Sequence, residues 1–369
     1  MSEVKTCELG DLIEFQRGYD LPKSEFRNGP YPVQSSNGIL GYHIDYKVEG
    51  PGITIGRSGT VGIPHYLNEN FYPHNTTLFV KDFKGNDRKY IYYLLKHLKL
   101  NDFKTGSGVP TMNRNHLHPL KVNAFIDKNY QVKLSSILSI LDQKIALNNQ
   151  INEELEAMAK TLYDYWFVQF DFPDENGKPY KSSGGKMVYN DQLKREIPEG
   201  WGVKQLGELE IATGKRDANF GTENGQYDFW TTANEPIKAD EYSFEGKAIL
   251  IAGNGNFYIN FTEGKFEAYQ RTYVIQSADE NELLFMYPAC LQSIEKLRKG
   301  SNGSIIKYIT IGDVQNISQP HCPVIANMFV DIFRPIMNTI QKNKQQNQEL
   351  TQLRDWLLPM LMNGQVKVE

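Results

Sequence analysis

LDQKIALNNQINEELEAMAKTL, residues 141–162, lays out a helical seam that is written a second time as IMNTIQKNKQQNQELTQLRDWL, residues 336–357. Taking every fourth or third residue gives Leu141, Ile145, Asn148, Asn152, Leu155, Met158 and Leu162 in the first stretch. The second gives Ile336, Ile340, Asn343, Asn347, Leu350, Leu353 and Leu357, matching in class at every step. Such spacing keeps the residues on one stripe of a helix and calls for a partner helix with the same stripe. Each copy is the obvious partner of the other. Asparagines are poor residues to bury, but amides that must find each other fix register and orientation at some cost in stability; the plain alternative is a solvated polar midsection. The pattern around the seams predicts long helices from about Asp127 to Val168 and over 325–362.

The duplication reaches beyond the helices. LGDL at 9–12 returns as LGEL at 206–209, ITIGRSG at 53–59 as ILIAGNG at 249–255, and NTTLFV at 75–80 as RTYVIQ at 271–276. Gly106-Ser107 answers Gly303-Ser304, and 117–122 falls where 314–319 falls, all at offsets between 195 and 197. Each copy opens with short β-branched and aromatic runs punctuated by Gly, Pro and Asn. One shorter helix is expected in each, at YIYYLLKHL (90–98) and LLFMYPACLQSIEKL (283–297). The predicted class is α+β: two similar mixed α/β domains separated by two long antiparallel coiled-coil helices, with an internal pseudo-twofold. The expected boundaries are 1–123 for the first domain, 124–170 for the first helix, 171–199 for a connector, 200–322 for the second domain and 323–369 for the second helix. The connector is rich in Gly, Pro, Lys and Ser, which preclude a continuous helix. Pseudo-twofold symmetry suits a target with two sites. A helix of about 40 residues spans roughly 60 Å.

Composition excludes several classes. At 369 residues and 40% hydrophobic content the chain can bury two ordinary cores. No run of eighteen uncharged apolar residues occurs, and MSEVKTCELGDLIEF lacks the basic start and apolar core of a leader, which places the chain in the cytoplasm with no membrane role. Cys7, Cys290 and Cys322 stand apart without metal or disulfide spacing and read as small hydrophobes. Six of the seven His precede residue 119, but none forms an H-E-x-x-H pattern, and His116 and His118 would face opposite sides of a strand. The net charge is −4; residues 1–122 carry 15 Lys and Arg against 12 Asp and Glu, whereas 200–320 carry 11 against 16. Bulk electrostatics therefore does not mark a nucleic-acid binder, and any such contact must come from local clusters or a basic partner.

Catalytic signatures are missing. SSGGKM at 182–187 lacks the first Gly and the final hydroxyl of a phosphate loop, and AGNGN at 252–256 lacks the third Gly and the following helix of a dinucleotide loop, so it reads as a strand-to-turn bend. There is no G-x-S-x-G elbow, no acidic pair with a nearby Lys set on a strand pair, and no Asn/Asp-Pro-Pro-aromatic motif. What remains are amide-rich and basic loops in matching places. The first copy offers Gln34, Ser35, Ser36 and Asn37; Arg57, Ser58 and Thr60; His74 and Asn75; and Thr111, Asn113 and Arg114. The second offers Thr231, Thr232 and Asn234; Asn254 and Asn256; Gln270 and Arg271; and Lys307 and Tyr308. Arg pairs bidentately with guanine, and Asn or Gln with adenine, in the major groove. Ser, Asn and Gly are also ordinary turn formers. Arg57, Arg114 and Arg271 lead the candidates, with Asn37, Asn113 and Asn234 near them.

These residues resemble the specificity subunit of type I restriction-modification enzymes over nearly the whole chain. The resemblance is carried by PYPVQSSNGILGYHID (30–45), IGRSGTVG (55–62), GSGVPTMNRNHLHPLKV (106–122), LYDYWFVQFDFP (162–173) with GKPYKSSGGKMV (177–188), IPEGW (197–201) before KQLGEL, and the C-terminal ELTQLRDWLLPMLMNGQV. It implies two target-recognition domains, each reading half of a split asymmetric sequence on double-stranded DNA, with paired helices as a ruler. It also implies two methyltransferase subunits docked on those helices, and restriction-translocase subunits joining them. S-adenosylmethionine, ATP and Mg would sit on those partners, with no cofactor or metal on this non-catalytic chain. The acidity of 200–320 departs from a strongly basic DNA binder and puts tight binding by the isolated subunit in doubt. Two rivals stand beside this reading. One is an interaction scaffold without a DNA role that bridges two partner proteins; the other is an enzyme with a cryptic site, for which the residues supply no acid, base or metal set.

Overall fold

Both long helices form, and each is shared between two compact units. The computed structural model describes residues 3–102, 111–303 and 307–368. One unit comprises Met1–Asn149 and Asn343–Glu369, the other Gln150–Lys342. The first long helix, Lys128–Tyr163, and the second, Pro323–Met362, therefore each give one half to either unit. Gly106-Ser107 and Ser304 of the repeat lie outside the described residues.

In the first unit the strands are β1 (Val4–Glu8), β2 (Glu14–Arg17), β3 (Tyr31–Ser35), β4 (Gly38–His43), β5 (Gly52–Gly56), β6 (Pro64–Leu67), β7 (Tyr72–Pro73), β8 (Thr77–Asp82) and β9 (Lys121–Phe125). They form a sheet in the order β2-β8-β5-β6, a second in the order β4-β3-β7 with β3 and β7 parallel, and a ribbon of β1 with β9. The helix Arg88–His97 closes the core against β5 and β6. Its first turn is capped by Asp87, which accepts from the Tyr90 N–H at 2.7 Å and the Ser135 hydroxyl at 2.8 Å. Fully buried Gln131 donates to the Phe125 carbonyl at 2.7 Å and accepts from the Asp87 N–H at 2.8 Å, so the first long helix is bonded to the globular part where it begins. Burial pushes the Tyr90 phenol up to about 12. Leu9, Phe15, Ile53, Ile55, Leu78, Val80, Ile91 and Leu94 make the core, joined by Leu134 and Leu138 of the first long helix and Leu358, Leu361 and Met362 of the second.

The second unit repeats this plan. Its strands are β10 (Met187–Asn190), β11 (Arg195–Pro198), β12 (Gly202–Gln205), β13 (Glu210–Thr213), β14 (Tyr227–Trp230), β15 (Ile237–Ala239), β16 (Phe244–Glu245), β17 (Ala248–Ala252), β18 (Ile259–Thr262), β19 (Lys265–Ala268), β20 (Thr272–Gln276) and β21 (Ser318–His321). The sheet β13-β20-β17-β18 matches β2-β8-β5-β6, the sheet β15-β14-β19-β16 keeps the parallel pair, and the ribbon of β12 with β21 matches that of β1 with β9. The helix Glu280–Gly300 stands where Arg88–His97 stands. Pairing corrects one alignment: Phe15 faces Val80 and Ile211 faces Ile275, so 75–80 and 271–276 match at an offset of 195, one less than their sequence similarity suggests.

Within the first unit the helix halves run antiparallel, since Asp142 pairs with Arg354 at 2.8 Å while Asn148 meets Asn347 at 2.9 Å and Gln346 at 2.8 Å. In the second, Tyr163, Trp166 and Phe167 pack on Phe329. The seam read from the sequence needs a correction near its end: Met158 is 60% and Leu353 43% exposed, whereas Ala159 is buried and Arg354 nearly so. A straight helix repeats every 18 residues, in five turns, so a strict seven-residue pattern drifts off the buried face. Ala159 and Arg354 lie one such repeat beyond Leu141 and Ile336. A second correction concerns His116 and His118, which sit at a short helix, Arg114–Leu117, and its C-cap rather than on a strand.

The connector is part of the core rather than a plain link. A π-turn over Asp164–Val168 buries both Trp166 and Phe167, and Phe170 at φ 64° ends the helix. Arg195 on β11 then donates to the Phe167 and Val168 carbonyls at 3.2 and 2.9 Å, filling acceptors that a helix end leaves open. Phe172, Tyr180 and Trp201 pack ring on ring at 4.8 and 4.9 Å.

Asn148 is 0% exposed, and its Oδ1 has no partner among the described residues. Asn148→Ala removes the donor for two half-buried amides and should lower unfolding stability by about 1 kcal/mol. Replacing Asn148 and Asn347 together by Leu should restore or raise the thermal midpoint, because a paired apolar layer replaces a polar one; a neutral Asn148→Ala in denaturant titration would show that the layer holds nothing.

Candidate nucleic-acid interface

Four loops in each unit carry the polar residues, and main-chain hydrogen bonds lace them together twice in the same way. In the first unit His74 N–H donates to the Gln34 carbonyl at 2.8 Å, Arg57 N–H to Thr76 at 2.8 Å, and Met112 N–H to Arg57 at 2.9 Å, with a bridge between Ser58 and Thr111. In the second, Tyr269 N–H donates to Trp230 at 2.9 Å, Gly253 to Arg271 at 2.7 Å, and Ile309 to Gly253 at 3.0 Å, with a bridge between Asn254 and Tyr308. One close approach demands glycine in both: a Cβ on Gly18 or Gly214 would stand 2.1 Å from the carbonyl oxygen of His74 or Tyr269.

The loops differ in what they leave available. Gln34, Ser35 and Ser36 are only 3, 4 and 6% exposed. Several of their polar groups bond locally: Gln34 Nε2 donates to the Ser35 carbonyl, Ser35 Oγ to the Gly38 carbonyl across the hairpin, and the Ser36 main-chain N–H to Thr76 Oγ1 of the neighbouring loop. They brace the turn, and only Asn37 of that group is exposed. Arg57 is half-buried, with Nη1 donating to the Asn75 carbonyl at 3.2 Å. Arg57, Thr111, Asn113 and Arg114 line one concavity of about 700 Å³ together with Arg17, so three guanidinium groups border a single opening. Asn113 caps the helix Arg114–Leu117 by accepting from the Asn115 N–H, while Arg114 is exposed and makes no ion pair among the described residues. Half-buried Thr60 lies in the loop after β5.

In the second unit Thr231 Oγ1 accepts from the Ala233 N–H, Thr232 is half-buried beside it, and Asn234 is exposed. Asn256 Nδ2 donates to the Tyr258 hydroxyl at 3.2 Å. Gln270, Arg271, Lys307 and Tyr308 are exposed. The nearby Arg216 is already neutralised, by Glu241 at 2.6 Å and by Glu267, a carboxylate with 0% exposure, at 3.3 Å. Sequence reading missed Arg17, Asp20 and Arg216. The signal was there, since Arg17-Gly18-Tyr19-Asp20 and Thr213-Gly214-Lys215-Arg216 share the glycine and carry charge around it. Among the described residues no group of His, Cys, Asp and Glu could hold a metal ion, and no helix is long and apolar enough to cross a membrane.

Two histidines stand behind the first unit's loops. His65 bonds the Ser36 main chain, and burial lowers its pKa. Its Nε2 is buried without a partner among the described residues, so protonation would place an unmatched N–H there. His74, also lowered by burial, contacts Thr76 Oγ1 at 3.2 Å. A depressed folded pKa means stability is present above the unfolded value of 6.5 and is lost as pH falls through the folded value. The thermal midpoint of the first unit should therefore fall as pH drops below 6.5, and a His65→Gln, His74→Gln chain should fall less steeply; parallel curves would remove these side chains from the effect.

A family model described as the type I restriction modification DNA specificity domain matches residues 1–157 and 198–352. The type I restriction enzyme MjaIX specificity subunit of Methanocaldococcus jannaschii is 28% identical over 313 residues, covering 76% of this chain and 69% of that one. The EcoDI specificity subunit of Escherichia coli is 35% identical over 180 residues, 47% of this chain and 40% of that one. Among solved structures, a type I restriction-modification system S subunit from M. genitalium shares the fold at a TM-score of 0.65 and 16% identity, covering 100% of this chain and 97% of the other.

Proposed function

The chain belongs to the type I restriction-modification DNA specificity family, and on that premise we propose that its two units each read one half of a bipartite, asymmetric site on double-stranded DNA. The observation that carries this is the repeated lacing of four loops whose side chains differ between units. Equal backbones with unequal side chains suit two reading heads with different sequence tastes. Direct readout needs side chains held at fixed places along base edges, and three arginines around one opening in the first unit supply both phosphate and guanine chemistry.

The long helices set the spacer between the half-sites and offer the docking surface for two methyltransferase subunits, which restriction-translocase subunits join. The reaction chemistry and its cofactors belong to those partners, and the present chain lends them specificity. Docked partners also supply part of the phosphate grip that a chain of net charge −4 lacks.

Exchanging residues 1–122 for another recognition domain should change one half of the methylated motif in cells and leave the other half and the spacer intact. Motif mapping in which both halves change, or neither, would sink the modular reading. Arg114→Ala should weaken DNA binding by the assembled complex across all sequences and reduce the slope of log affinity against log salt by about 1 if it meets a phosphate. A changed motif at unchanged salt slope would make Arg114 a base reader instead.

A further inference from the structure

We infer that the first unit reads a G·C base pair through Arg57 and Asn75, with Asp20 fixing which way the Asn75 amide faces; this rests on the DNA-reading role proposed above. An ionised carboxylate only accepts hydrogen bonds, and Asp20 Oδ1 takes the Asn75 side-chain Nδ2. The amide orientation is thereby set, with nitrogen toward Asp20. Asn75 Oδ1 accepts nothing among the described residues and stays available as an acceptor. Arg17 Nη2 pairs with the same Asp20 oxygen at 3.3 Å, so the carboxylate is offset by a cation where DNA phosphates would otherwise repel it.

Arg57 stands on the neighbouring loop, with Nη1 spent on the carbonyl oxygen of Asn75 itself. Its Nε and Nη2 have no partner among the described residues, and they are two parallel donors of the kind that grip two acceptors at once. Arg57 and Asn75 together therefore present donor, donor, acceptor. In the major groove a G·C pair shows guanine N7 and O6 as acceptors and then the cytosine amino group as donor, whereas an A·T pair shows acceptor, donor, acceptor. Only the first pattern complements the protein. Asp20 is a positioning residue here, since it acts on the base through Asn75.

The second unit carries no counterpart. Gly253 takes the place of Arg57, making the same main-chain bond, and Arg216, held by Glu241 and Glu267, faces Tyr269 as Tyr19 faces His74, so no arginine stands there beside the amide of Gln270 as Arg57 stands beside Asn75. The device belongs to one half-site only.

The test uses the chain assembled with its methyltransferase partners and duplexes carrying its mapped motif, with the first half-site assigned by the exchange of residues 1–122. At each G·C pair of that half-site, guanine is replaced by 7-deazaguanine, which lacks N7, and separately cytosine by pyrimidin-2-one, which lacks the amino group. At one pair both replacements should weaken binding, the guanine replacement by up to roughly 100-fold, because it removes one of the two hydrogen bonds of a bidentate base contact. The first penalty should vanish in Arg57→Ala and the second in Asn75→Ala. In Asp20→Asn the amide is free to turn, so the pyrimidin-2-one penalty should shrink while the 7-deazaguanine penalty persists. A half-site without a G·C pair, or penalties in the wild-type complex that neither variant removes, overturns the inference, and because analogues are read on the unaltered protein, a misfolded variant does not hide the answer. A complex that binds no bipartite site overturns the DNA-reading role instead, and this inference with it.

Discussion

The main-chain hydrogen bonds between loops are the constraint on which the recognition surface depends. A peptide N–H bonded to a peptide carbonyl asks nothing of the side chains on either residue, except glycine where two backbones come too close. Arg57 can therefore become Gly253, and the segment at Thr111 can become that at Tyr308, without the loops losing their places. Had the loops been held by side-chain contacts alone, each change of side chain would have cost the brace as well; the side-chain bonds present, such as Arg57 Nη1 to the Asn75 carbonyl, add to the main-chain lacing. The two parts are separable here, which is what allows one scaffold, written twice, to carry two chemistries.

The long helices obey a different balance. Their ends are fastened by apolar packing to the unit each one enters, with Leu134, Leu138 and Leu361 in one core and Tyr163, Phe167 and Phe329 in the other. Where such anchors thin out, the first unit places an amide layer of Asn148, Gln346 and Asn347 and an ion pair of Asp142 with Arg354. Leucine at all these positions would bind more strongly yet accept several registers, because apolar contacts carry little directional information. Amides that lose their partners on a slip make the wrong registers costly.

Much of this was legible in the sequence. The tandem repeat, both long helices, the shorter helix of each copy and the sheet-rich remainder follow from periodicity and self-similarity, because those patterns report which faces are buried. The connector was not legible as core: its Gly, Pro and Ser punctuation hid the fact that Phe170, Phe172 and Trp201 pack beneath the second unit. The seam failed at Met158 and Leu353 because a heptad pattern describes supercoiled helices, and these return to the buried face at the residue after. In the loops, residue type does not tell which side chains reach the surface. Gln34, Ser35 and Ser36 have the composition of readers and the burial of braces, and only coordinates separate the two. Arg17 escaped notice because it closes a strand, although it borders the same opening as Arg57 and Arg114.

Charge distribution decides how the two units must share the work. The opening in the first unit has three arginines, and only Arg17 is offset there by a carboxylate ion pair among the described residues. In the second unit Arg216 is spent on two glutamates, one fully buried. Burying Glu267 is tolerable because Ser243, its neighbour's N–H and Arg216 all donate to it. The exposed cations of the two units therefore differ in setting: Arg114 stands at an opening bordered by Arg17 and Arg57, whereas Arg271 and Lys307 stand in a unit whose Arg216 is already paired.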